Sequence, residues 1–181
     1  ELDGKRLELL RQMLPEARCF GAMIQPSSPS AEARRQALRA AAKDLDVDIV
    51  LADAAGPDDY PAVFAAFRKA GAKGLVVGSD PIFFRDIAVL SDLASEAGLA
   101  TICHWREMVQ SGCLLSYGPQ LSGLYQRIAE LLARIFAGAG PGSLPIEGPT
   151  RFEFIVNLAA ARKFGFEIPK SVLARADEVI E

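Results

Sequence analysis

A single histidine and a single tryptophan among 181 residues narrow the chemistry at once. His104 alone cannot build a His-rich metal site, and Cys19, Cys103 and Cys113 have no CxxC spacing, so neither a bound metal nor a structural zinc is expected. Neither GxGxxG nor GxxxxGK[ST] occurs, and the glycine-rich stretch from Gly138 to Ser143 follows a helical pattern where a phosphate-binding loop follows a strand. No nucleotide and no other cofactor is expected. No apolar run reaches the roughly 20 residues that cross a bilayer, and Glu1-Leu2-Asp3-Gly4-Lys5 has the pattern of neither a signal peptide nor a transit peptide. An excess of one charge is also missing: 20 Lys and Arg are dispersed among 23 Asp and Glu for a net charge of -3, which leaves no basic footprint for nucleic acid. The odd number of cysteines, each in or beside an apolar strand run, predicts buried free thiols.

Catalytic sets are equally scarce. Cys103 and His104 are neighbours, and in an extended strand their side chains point to opposite faces, so they do not form a thiolate and imidazole pair. No nucleophile, base and orienting group can be assembled, and the chain is expected not to be an enzyme. Asp53 or Asp80 could be read as the acceptor of a phosphoryl-receiver domain, but that chemistry needs an acidic pair after the first strand, where Gln25-Pro26-Ser27 stand.

Half of the residues are hydrophobic, enough for an ordinary core without staples. Leu2, Leu7, Leu10, Met13 and Leu14 predict an amphipathic helix ending at Pro15. Strands are then expected over 19–24, 48–52, 74–77 and 99–103, with a fifth after Gly112, each followed by a helical pattern. Ser30 is a candidate N-cap for the helix over 31–45, and Asp80 for one running from Pro81 through Ile87, Leu90 and Leu93 to Gly98. A longer helix is expected over 121–136, with Leu124, Ile128, Leu131, Leu132 and Ile135 at helical spacing. Beyond the Gly138 loop come a β-rich stretch over 152–157, a short helix over 158–164 and a last helix over 171–181. This alternation predicts an α/β fold, a doubly wound, mostly parallel sheet with helices on both faces.

In such a sheet ligands bind beyond the carboxyl ends of the strands, which is where Ser79, Asp80 and the Phe83-Phe84 pair would lie. Adjacent helical residues point about 100° apart, so one of the two phenylalanines faces the core.

Five segments, in order, resemble the C-terminal part of one family: Leu2-Asp3-Gly4-Lys5-Arg6-Leu7-Glu8-Leu9-Leu10, Pro26-Ser27-Ser28-Pro29-Ser30, Ser79-Asp80-Pro81-Ile82-Phe83-Phe84, Gly112 to Pro119, and Pro149 to Leu158. The family is that of ABC-transporter substrate-binding proteins of the type that includes tryptophan and tyrosine binders, with the type I periplasmic-binding-protein fold. The resemblance implies two α/β lobes about a cleft. Residues 1–18 would be the helix that follows a first lobe outside this chain, 19–117 the second lobe, and 118–181 a return segment completing the first. It also implies a small-molecule solute, an ABC permease as partner, a periplasmic or extracellular location, and membrane contact only through the permease or a lipid anchor. Helix 121–136 and strand 152–157 would then carry apolar surface meant for first-lobe elements, which predicts exposed apolar area, dimerisation or a segment swap.

An amino acid ligand needs an acid for its ammonium, donors for its carboxylate and a wall for its side chain. Ser27, Ser28 and Ser30 precede a helix whose N-terminal N–H groups favour anions, and could hold the carboxylate. Asp80 could take the ammonium, Phe83 or Trp105 could stack on an aromatic ligand, and Tyr117 could add a phenol or an apolar wall. Each also has a local role open to it: turn formation for the serines, N-capping for Asp80, and core packing for the aromatics. The effector-binding core of a transcription regulator is the competing function, since it can share the fold.

Overall fold

The computed structural model describes residues 2–181. Helix α1 (Leu2–Met13) leads into β1 (Cys19–Ile24), α2 (Ala31–Asp44), β2 (Asp48–Asp53), α3 (Tyr60–Lys69) and β3 (Gly74–Val76). Then follow α4 (Pro81–Arg85), α5 (Ile87–Glu96), β4 (Ala100–Cys103), α6 (Arg106–Gln110), β5 (Leu115–Pro119) and α7 (Leu121–Phe136). The chain closes with β6 (Phe152–Asn157), α8 (Leu158–Phe164), α9 (Lys170–Leu173) and β7 (Glu178–Ile180). Seven strands form one sheet in the order β2-β1-β3-β4-β5-β6-β7. Every neighbouring pair is parallel except β5 with β6. Among the described residues no helix is long and apolar enough to cross a membrane.

The first five strands lie in a doubly wound order that reverses between β1 and β3, and the crevice beyond that reversal is the natural ligand position. Alternate residues feed two cores because side chains along a strand point to opposite faces. Phe20, Ala22 and Ile24 of β1 join Leu7, Leu10, Leu38 and Ala161 on one face, while Met23 joins Phe64, Phe67, Leu90 and Val109 on the other.

Several expectations are corrected by this arrangement. The predicted helix from Pro81 to Gly98 is two helices, α4 and α5, with Asp86 between them accepting a hydrogen bond of 2.7 Å from Tyr60 Oη. The predicted terminal helix stops at Leu173, and Glu178–Ile180 form an edge strand on β6. Asp177 fixes that change of direction, since its carboxylate accepts from the Phe154 amide at 2.7 Å. Within residues 118–181, β6 and α7 differ in burial. β6 pairs with β5 and buries Phe154, Ile155 and Val156 in this sheet, whereas α7 buries none of its residues. The apolar face of α7 is therefore exposed, with Tyr125 at 68% and Phe136 at 86%.

Two of the three cysteines are not free thiols. Cys103, the last residue of β4, is disulfide-bonded to Cys113, two residues before β5, with both side chains fully buried. The parallel pairing of β4 with β5 brings them together, with Cα atoms 6.5 Å apart. Cys19 remains free, and burial pushes its thiol pKa up.

Candidate ligand site

At the strand ends near the reversal lies an open hollow of about 390 Å³. Its floor is a cluster of charges supplied by α1, α2 and the loop before α4. Asp3 and Arg6, three residues apart, share one face of α1, and Arg6 Nη1 donates to Asp3 Oδ1 at 2.9 Å. From the first turns of α2, Arg34 donates to the same carboxylate, Nε to Oδ2 at 2.7 Å and Nη2 to Oδ1 at 3.3 Å. Arg34 Nη1 reaches Asp80 Oδ2 at 3.2 Å on the loop before α4. Arg6 Nε donates to the Tyr117 carbonyl of β5 at 2.8 Å. Asp80 takes the N-cap position of α4 without capping it, because its carboxylate is turned to Arg34.

The fourth wall comes from the turn after β4. His104 is buried with Nε2 3.6 Å from Asp3 Oδ1. Burial, reinforced by the charges of Arg6 and Arg34, holds its pKa well below the usual imidazole range, so the ring is neutral near pH 7. Trp105 lines the hollow and meets Phe84 edge-on, ring centres 5.5 Å apart. Gly118 lets β5 pass close behind: a Cβ there would sit 1.9 Å from the His104 carbonyl oxygen.

Of the residues singled out from the sequence, Ser30, Ser79 and Trp105 line the hollow. Asp80 touches it through Arg34, and Tyr117 gives its carbonyl to Arg6 while its ring stacks on Phe152. Ser27 is exposed, and the Ser28 and Ser30 hydroxyls are 3.2 Å apart, bonded to each other. Ser30 stands at the N-cap of α2 without a side-chain cap bond. Phe83 is not a cleft residue: it is fully buried in the core of Met23, Tyr60 and Val77, and Phe84 is the exposed ring of the pair, at 38%. Asp3, Arg6, Arg34 and His104 are the site residues not foreseen. Their signal is positional, because Asp3 and Arg6 fall on the stripe of Leu7, Leu10 and Met13, and Arg34 on that of Ala31, Leu38 and Ala42.

A larger hollow of about 490 Å³ lies between α7 and residues 147–151. Its charges are exposed, and Arg127 is already paired, donating to Glu147 and Glu130 at 2.6 Å each. The smaller hollow is the stronger ligand site, since only there do buried polar groups converge.

Solved structures share this fold. A conserved domain protein from Vibrio cholerae O1 biovar El Tor superposes with a TM-score of 0.88 at 23% identity, over 98% of this chain and 60% of its own length. The ABC domain from Streptococcus pneumonia solved in complex with L-Trp gives 0.86 at 17%, over 98% and 62%. A ligand-free, open substrate binding protein with adhesive properties from Clostridium difficile gives 0.71 at 21%, over 97% and 59%. The chain thus spans about three fifths of the length of these relatives. A LacI family transcriptional regulator from Bifidobacterium animalis subsp. lactis is more distant, at 0.63 and 11% identity. No curated protein matches the sequence significantly. The profile described as ABC transporter substrate binding protein matches residues 2–180, all but the two terminal residues, and the chain belongs to that family.

Proposed function

We propose that this chain forms one wall of the solute cleft of an ABC importer's binding protein, and that the solute is an amino acid, an aromatic one foremost. The observation that carries this is the meeting of the Arg34–Asp80 pair with the Trp105 ring over one hollow at the C-terminal ends of β3 and β4. Arg34 occupies only Oδ2 of Asp80, and among the described residues no donor reaches Oδ1, so that oxygen suits a ligand ammonium. Trp105 offers the hollow an apolar ring, with Phe84 packed edge-on behind it. The role in this reading is capture and not catalysis, which is supported by the Cys103–Cys113 disulfide and by the burial of His104, whose lowered pKa makes it a weak base.

The companion wall belongs to a first lobe, closure between the lobes traps the solute, and the closed form presents it to a permease. A disulfide fits a periplasmic or extracellular setting, where such bonds persist. The regulator alternative is supported by fold likeness alone.

Thermal shift of the full-length protein against the L-amino acids tests the proposal. Tryptophan, tyrosine or phenylalanine should raise Tm by several degrees at concentrations well above Kd. A panel of amino acids and related small acids that leaves Tm unmoved refutes it.

A further inference from the structure

Building on that reading of the cleft, we infer that the ligand's carboxylate is read by Arg6, through its unpartnered Nη2, and not by the serine loop ahead of α2. Arg6 is 1% exposed and forms part of the wall of the hollow. Two of its nitrogens are committed, Nε to the Tyr117 carbonyl at 2.8 Å and Nη1 to Asp3 at 2.9 Å. These bonds pin the planar guanidinium, and Nη2 is left buried with no hydrogen-bond partner. A buried charged donor is costly to leave unsatisfied, and buried polar groups are nearly always paired. An anionic oxygen delivered into the hollow would complete it.

Gly118 of β5 packs beside Nη2: a Cβ there would stand 3.5 Å from it and 1.9 Å from the His104 carbonyl oxygen, so any side chain at that position would crowd the free end of the guanidinium. Burial lowers the Arg6 pKa to about 10 against the pull of Asp3, which it shares with Arg34. A second donor on the same wall, Trp105 Nε1, is likewise buried without a partner. Unpaired donors call for a ligand that brings acceptors. The cluster of Asp3, Asp80, Arg6 and Arg34 is neutral as a whole, which favours a single carboxylate over a doubly charged phosphate. Ser28 and Ser30, by contrast, satisfy each other and Ser27 is exposed.

The experiment compares each L-amino acid that binds the full-length protein with its primary amide, which keeps the ammonium and the side chain and loses only the carboxylate. The acid should bind at least tenfold more tightly than the amide, and in Arg6→Gln the ratio should fall towards one. In the double variant Ser27→Ala, Ser28→Ala the tenfold preference should persist. If Arg6→Gln does not fold, Arg6→Lys replaces it, and a preference reduced several-fold is expected because one ammonium cannot serve Tyr117, Asp3 and the ligand together. Equal binding of acid and amide, or a preference lost in the serine variant and kept in the Arg6 variants, overturns the inference while the solute-binding role stands. Failure of every amino acid to bind overturns the role itself and the inference with it.

Discussion

Arg34 Nη1 donates to Asp80 at 3.2 Å while the rest of the same guanidinium grips Asp3, so one side chain joins α1, α2 and the loop after β3. Removing it strands a buried carboxylate. Arg34→Ala should cost about 3–5 kcal/mol, the penalty for an uncompensated charge in the interior. Asp80→Asn should cost about 1 kcal/mol, since it forfeits a single bond. Urea unfolding of the two variants checks the order, and an Arg34→Ala loss no larger than that of Asp80→Asn would mean that Arg6 alone compensates Asp3.

The Cys103–Cys113 disulfide encloses the turn that carries His104 and Trp105, across a separation of ten residues. A loop of that size constrains the unfolded chain by about 2–3 kcal/mol. The double variant Cys103→Ala, Cys113→Ala should lose that much stability. Trp105 is the sole tryptophan, so the emission of the folded variant reports the site directly. A shift to longer wavelength is expected as the turn loosens, and unchanged emission would mean that α6 packing holds Trp105 without the bridge.

The sheet was legible because its signals are local: apolar runs of four to six residues, each bounded by glycine, proline or a polar turn, recur with helical stretches between them. The charged floor was legible only in part. Asp3, Arg6 and Arg34 sit at core positions of their helices, yet charge on a short helix ordinarily marks its solvated face, and the partners that make burial tolerable come from 31 and 111 residues away. The disulfide was hidden for the same kind of reason, since it depends on which strands become neighbours. At the C-terminus, Ala174 and Ala176 favour helix locally, but pairing of Glu178–Ile180 with Ile155–Asn157 prevails. Phe83 and Phe84 could not be told apart until α4 was seen to press its first turn against Gly78.

That contact gives a clean contrast. A Cβ on Gly78 would lie 2.6 Å from the Phe83 ring and 2.8 Å from the Met23 carbonyl oxygen, so the ring packs flush against bare backbone. Phe83→Ala should cost about 3–5 kcal/mol through the cavity it leaves. Gly78→Ala should cost about 1–3 kcal/mol through overpacking. Phe84→Ala should leave stability within about 1 kcal/mol and weaken binding of an aromatic amino acid several-fold. Denaturation and calorimetry on the three variants separate core from cleft. Loss of affinity from Phe83→Ala without loss of stability would reverse the assignment.

The buried His104 makes stability depend on pH in a definite direction. Burial opposes its protonation first, Arg6 on α1 and Arg34 on α2 add to that, and the backbone of Val77 pulls the other way, so that the folded-state pKa is held well below 6.5 even with the Asp3 carboxylate 3.6 Å away. In the unfolded chain the imidazole titrates near 6.5. Above that pH neither state carries the proton and His104 contributes no slope. As pH falls below about 6.5 the unfolded chain takes up a proton that the folded chain refuses, so stability declines by up to about 1.4 kcal/mol per pH unit until the folded-state pKa is reached. Replacing the group by His104→Asn should remove this component while leaving carboxylate titration in place. Urea unfolding at intervals between pH 8 and pH 5 would show it as a shallower decline in the variant than in the parent protein. An identical decline in both would mean that His104 binds its proton equally in the folded and unfolded states, and that the Arg6 and Arg34 charges do not reach it.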